Sequence, residues 1–136
     1  MKDEHMLVHR ETIDSLEALV YNDRRAMGEA VADEVILAIE ELLEEKDTIN
    51  MLFAAAPSQA ELLEGLRSSK RIPWERINAF HMDEYIGLDP DAPQRFGNFL
   101  DRALFASVPL RKVPTRCTQS WGRWTRKQQS GYIPTM

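Results

Sequence analysis

The 136-residue chain holds one cysteine, Cys117, and three histidines, His5, His9 and His81. A single thiol cannot close an internal disulfide, and no Cys/His spacing resembles a zinc site, so neither bridges nor a structural metal are expected to support the fold. No window approaches the roughly 18 to 20 apolar residues that a membrane-spanning helix needs, and Met1-Lys2-Asp3-Glu4-His5 has no apolar run behind it to act as a signal peptide. A cytoplasmic location is the resulting expectation. The first hundred residues also lack clustered Lys and Arg, which argues against a nucleic-acid partner and for a small-molecule ligand. What remains, 43% apolar and 29% charged residues with a net charge of -5, is the composition of one globular domain stabilised by packing.

Acids are missing from the end of the chain. Twenty-two Asp/Glu and eleven Lys/Arg precede Pro109, whereas six Lys/Arg and no acid follow from there to Met136. The same stretch holds Trp121 and Trp124, two of the three tryptophans, and shows neither strand nor helix periodicity. One reading is a basic tail for an acidic partner. The preferred reading is an out-of-frame or fused continuation, because binding tails are usually poor in Trp and repeat one charge. The domain is therefore assigned to residues 16–108, and residues 109–136 to an aberrant or disordered basic tail.

Within the domain the pattern alternates strand and helix. Leu16 to Tyr21 suits a short strand, and Asn22 or Asp23 is placed to cap the helix that follows. In that helix Met27, Ala30, Val31, Val35, Ala38, Ile39 and Leu42 recur at steps of three and four, predicting the buried face, with an end near Lys46. Ile49 to Ala55 is nearly continuously apolar, as a central parallel strand would be. Ser58-Gln59-Ala60-Glu61 matches a capping box, with Ser58 as N-cap of a short helix facing inward through Leu62, Leu63 and Leu66. A second strand is expected over Ile77 to Met82, then a turn-rich loop and a helix carrying Phe96, Phe99, Leu100, Ala103 and Leu104. A strand-helix-strand crossover makes the two strands parallel, so the turn after Ala55 and the end at Asp83 share one sheet edge, where ligands of open α/β sheets bind.

That edge carries the candidate chemistry. Free N–H groups at a helix start bind phosphate, and the Ser58 hydroxyl can add a hydrogen bond. Strand alternation places His81, Asp83 and Tyr85 on one side and Met82 and Glu84 on the other. A partly desolvated carboxylate has its pKa raised towards the range of a general base, and Asp83 is the candidate. Taken singly, each has a plainer reading: Ser58 as an ordinary cap, Asp83 as a turn cap, Glu84 as a solvated acid and His81 as a hydrogen-bonded interior side chain.

Met82-Asp83-Glu84-Tyr85-Ile86-Gly87-Leu88 resembles the Met-Asp-Glu-Tyr-x-Gly-Leu segment of glucosamine-6-phosphate deaminases, with matching flanks from about Arg24 to Phe105. The resemblance implies an α/β fold: a modified Rossmann-like parallel sheet with helices on both faces, shared with 6-phosphogluconolactonases, ribose-5-phosphate isomerases and CoA transferases. Only the N-terminal half is covered. It implies a phosphorylated amino sugar as ligand, no cofactor and no metal, and homo-oligomers in many relatives. Asp83 would move a proton between C2 and C1 of the opened sugar, with Ser58, Gln59 and Tyr85 contacting substrate and Glu84 and His81 in support. Two departures matter. The relatives' glycine-rich phosphate loop is replaced by Phe53-Ala54-Ala55-Ala56-Pro57-Ser58-Gln59, which must follow another path and points to a related sugar phosphate. Nothing in Pro109 to Met136 matches the ring-opening His and Glu, so the chain as written is expected to be an inactive fragment or weak sugar-phosphate binder. A 6-phosphogluconolactonase-type hydrolase is disfavoured by Tyr85, where that family resembles Asp-Glu-Arg.

Overall fold

The computed structural model describes residues 7–112. Its order is β1 (Leu7–Ile13), β2 (Leu16–Tyr21), α1 (Arg24–Glu45), β3 (Ile49–Phe53), α2 (Ala60–Ser68), β4 (Ile77–His81) and α3 (Phe96–Ala103). Short 3₁₀ turns at Pro57–Gln59, Trp74–Arg76 and Phe105–Ser107 connect them. The chain is thus α/β, with two two-stranded sheets among the described residues: an antiparallel β1–β2 hairpin and a parallel β3–β4 pair. The expected sheet with helices on both faces is not what they form. The helices pack on one face only, because the apolar residues that α1, α2 and α3 bury join Ile49, Phe53, Ile77 and Ala79 in a single core.

β1 lay outside the sequence expectation. Its His9, Arg10, Glu11 and Thr12 are polar and exposed, so it has no alternation to read. Pairing with β2 makes it a strand: Thr12 faces Glu17, Ile13 faces Leu16, and Arg10 reaches the Glu17 carboxylate at 3.3 Å. Asp14 takes φ 55 in the two-residue turn, a left-handed conformation that Asp tolerates better than most residues.

α1 begins as its sequence suggests. The Asp23 carboxylate accepts from the Ala26 N–H at 2.8 Å, and the Lys46 N–H closes the last turn on Leu42. Of the expected stripe only Ala30 and Ile39 are fully buried. Ala32, Ile36, Ile39 and Leu43 are inside, while Met27, Val31 and Leu42 are exposed. The helix is apolar on two flanks, so periodicity alone does not choose between them; the approach of α2 does. A Cβ on Gly28 would lie 2.4 Å from the Glu61 Cβ, and one on Gly65 would lie 2.6 Å from the Ala32 Cβ. The helices meet where side chains are smallest, and that contact turns Ile36 and Ile39 inward.

β3 and β4 run in register from Ile49 opposite Ile77 to Phe53 opposite His81. β3 stops at Phe53, two residues before the expected end, and Met82, beyond β4, donates its N–H to the Phe53 carbonyl at 2.9 Å. The Phe53 and Phe105 rings meet edge to face at 5.3 Å. Arg76 anchors the start of β4 by donating to the carbonyls of Leu43, Lys46 and Asp47 at the carboxyl end of α1, where a cation is electrostatically favoured. Residues just past Val108 remain attached: Leu110 packs on the core, and the Ala79 N–H donates to Lys112 at 3.0 Å. The rest of the expected tail, 113–136, lies outside the described residues.

On the other face of β3–β4, Leu52 and Phe80 are 61% and 49% exposed, and Met82 beside them is 60% exposed. An open sheet face of this kind promotes association. Replacing both Leu52 and Phe80 by Thr, a β-branched residue that suits a strand, is expected to lower light scattering at a given concentration with little change in far-UV dichroism. Gly28→Ala should lower the unfolding midpoint, although glycine-to-alanine usually helps a helix: overpacking costs about 1–3 kcal/mol against a propensity gain of about 1. Urea titration of both proteins checks the sign.

Candidate functional site

Parallel pairing brings the carboxyl ends of β3 and β4 together, so the Ala54–Gln59 turn and the Met82–Tyr85 segment leave the sheet side by side. The turn does not form the expected capping box. Pro57 opens a 3₁₀ turn, the Gln59 N–H donates to Ala56, and α2 starts only at Ala60, with Gln59 in the N-cap position and no side-chain cap hydrogen bond. Ser58 is exposed and Gln59 half-buried. Glu61, the other half of the expected box, instead accepts from Arg24 Nε at 2.7 Å. Arg24 also donates through Nη2 to the Pro57 carbonyl, so one α1 side chain holds both the turn and the first turn of α2. Sequence reasoning missed Arg24, since only the fold brings residues 24 and 57 together.

Beyond β4 the two adjacent acids have separate fates. Asp83 is exposed and makes no ion pair among the described residues. Glu84 is drawn to the amino end of α3. Its Oε1 accepts from the backbone N–H of Tyr85 and of Phe96, and its Oε2 from that of Gly97, each at 3.0 Å. Arg95 Nε lies 3.5 Å from Oε2. Glu84 therefore caps α3 from twelve residues upstream and closes the intervening loop into a ring. Burial alone would raise its pKa, but the hydrogen bonds from Gly97, Tyr85 and Phe96, with the Arg95 charge, hold it below the ordinary glutamate range.

The expected split of faces fails for the same reason. Alternation stops where the strand stops, at His81, and Glu84 turns back to the side where His81 is buried. A Cβ on Gly97 would be 3.3 Å from Glu84 Oε2 and 3.5 Å from His81 Cε1, so both groups border one point. Nor is His81 the hydrogen-bonded interior histidine of the plainer reading: its Nδ1 is buried without a partner. Tyr85 is half exposed, and its ring lies 4.6 Å from that of Phe96. Arg95 was also missed; in sequence it is one arginine between a Pro-rich loop and a Phe-rich helix. Among the described residues no three His, Cys, Asp or Glu are placed to hold a metal ion, and no helix is long and apolar enough to cross a membrane.

No family model matches the chain. Two curated proteins do. Over 103 residues it is 27% identical to a glucosamine-6-phosphate deaminase of Cellvibrio japonicus (strain Ueda107), covering 74% of this chain and 38% of that protein. Over 103 residues it is 24% identical to a glucosamine-6-phosphate deaminase of Pseudoalteromonas translucida (strain TAC 125), covering 74% and 37%. The chain spans less than two fifths of the length of these relatives and is a partial match to their family.

The Glu84 cap has a pH signature. Its pKa is depressed on folding, so its stabilisation is present above the unfolded value of about 4.3 and is lost as pH falls through the lower folded value. Glu84→Gln turns an amide against a backbone donor. The variant should be less stable at neutral pH by about 1 kcal/mol, the usual worth of a helix cap, and the gap should close in acid. Urea unfolding across that pH range measures it; a gap independent of pH would remove the charge from the account.

Proposed function

We propose that the chain carries the base-bearing part of an aldose-ketose isomerase and deaminase acting on a phosphorylated amino sugar, on a Rossmann-like sheet. Most direct support comes from the division of labour between the two acids: Glu84 is committed to α3, which leaves Asp83 as the free carboxylate at the shared sheet edge. The names of the two relatives supply the substrate class.

In this reading Asp83 takes the C2 hydrogen of the open-chain aldehyde as a proton, and the electron pair moves to form the C1–C2 enol, whose oxygen picks up a proton. Asp83 returns its proton to C1, leaving an iminium at C2 that water hydrolyses to the ketone and ammonia. Ser58 and Gln59, in the turn held by Arg24, contact the phosphate, and Tyr85 flanks the sugar. The glycine-free turn suits a sugar phosphate related to glucosamine 6-phosphate, because alanine and proline restrict the close backbone approach that glycine permits. In the same reading the unnatural continuation begins beyond Lys112, since Leu110 and Lys112 are joined to the domain.

Proton transfer is testable without complete turnover. Exchange of the C2 hydrogen of glucosamine 6-phosphate in deuterium oxide, followed by NMR, should be accelerated by the chain acting on the open-chain fraction. Asp83→Asn should slow it by roughly a hundredfold or more, the usual contribution of a general base. Ser58→Ala should raise the half-saturating concentration and leave the saturated rate. Exchange at the solvent rate in the wild type, or unchanged exchange in Asp83→Asn, would reject the assignment.

A further inference from the structure

Asp83 is exposed, yet the chain on either side of it is fastened. Before it, the Met82 N–H donates to the Phe53 carbonyl at 2.9 Å, which ties the chain to β3. After it, the Glu84 side chain, 10% exposed, accepts from the N–H groups of Tyr85, Phe96 and Gly97 at 3.0 Å each. Sheet and helix therefore grip residues 82 and 84, and only Asp83 with its two peptide units lies between. The loop that follows is braced as well. Asn98 Nδ2 donates to the Pro90 and Ala92 carbonyls at 2.8 and 2.9 Å, and Arg102 Nη2 to that of Pro93 at 2.8 Å, so α3 holds it at several points. Gly97 permits the close approach of Glu84, because a Cβ there would lie 3.3 Å from Oε2.

A general base works only within hydrogen-bond reach of the proton it takes, and a misplacement of about 1 Å can cost a hundredfold in rate. An exposed aspartate beyond the end of a strand has no packing of its own to hold it. We propose that Glu84 is the positioning residue for Asp83: by fastening its own stretch of backbone to the amino end of α3, it fixes where the neighbouring carboxylate sits at the sheet edge. The inference rests on the reading of Asp83 as the base. It adds a task that capping alone does not require. Arg95 occupies the N-cap position of α3 and makes no side-chain cap hydrogen bond, whereas a Ser or Asp there would cap the helix locally. Drawing the cap from Glu84 instead couples α3 to the residue beside the base.

Backbone amide relaxation by NMR and C2 hydrogen exchange of glucosamine 6-phosphate, both on the full chain, test it together. In the wild type the Asp83 amide should be as ordered as that of His81, and Glu84→Gln should lower its order parameter. The same variant should reduce the saturated exchange rate by about tenfold and leave the half-saturating concentration, the reverse of Ser58→Ala. Gly97→Ala keeps the Glu84 charge, and alanine suits a helix better than glycine, yet the new Cβ presses on Oε2. It should slow saturated exchange severalfold, which separates position from charge, and it carries the test if Glu84→Gln does not fold. Asn98→Ala loosens the loop away from Glu84 and should leave the rate near wild type. The proposal falls if the Asp83 amide is mobile in the wild type or equally ordered in Glu84→Gln. It falls also if Glu84→Gln and Gly97→Ala exchange at the wild-type saturated rate, or if Asn98→Ala slows exchange as much as Glu84→Gln. Unchanged exchange in Asp83→Asn instead rejects the base assignment, and relaxation still reads whether Glu84 holds Asp83.

Discussion

Parallel pairing of β3 and β4 is the constraint from which the rest of the arrangement follows. Two strands running the same way must be joined by a crossover, and α2 supplies it from one side of the sheet. Both strands then end at the same edge, with Phe53 opposite His81. Had they been antiparallel, the turn at Ser58 and the acids after His81 would lie at opposite ends. The helices settle around this pair: α2 seats against α1 through Gly28 and Gly65, and Arg76 links the start of β4 to the end of α1. Shared direction, more than any single side chain, makes a site possible at that edge.

Within the site, environment separates chemically similar groups. Asp83 and Glu84 are adjacent carboxylates, yet one faces solvent and the other is held by three backbone donors. The second is thereby fixed as an anion with a structural task, and the first keeps its lone pairs free. Arg24 and Arg95 divide in a comparable way. Arg24 spends its donors on Glu61 and the Pro57 carbonyl, whereas Arg95 finds no acceptor within hydrogen-bond distance. Sequence neighbourhood predicts neither outcome.

What the sequence revealed was local. The Asp23 cap, the run of α1, both parallel strands and α3 follow from capping chemistry and apolar spacing, which act over a few residues. Ser58 misled because a capping box requires a helix to begin at once, and Pro57 favours a tighter turn first. Strand alternation misled at Glu84 because it holds only while the strand lasts. Arg24, Arg95 and the inward face of α1 were not legible: each depends on residues brought together by the fold. β1 escaped notice because an exposed strand is defined by its partner and needs no apolar pattern of its own.

The hairpin has a separate thermodynamic life. β1 is almost wholly exposed, and in β2 Ala18, Leu19 and Tyr21 are no more than half-buried, so little burial ties the ladder to the core. A two-stranded ribbon with that support is marginal in water. Its amides belong to a cooperative unit that opens far more often than the β3–β4 pair, in the sense of native-state hydrogen exchange. Residues 7–21 are therefore expected to unzip and close again while Asp83 and α3 stay in place.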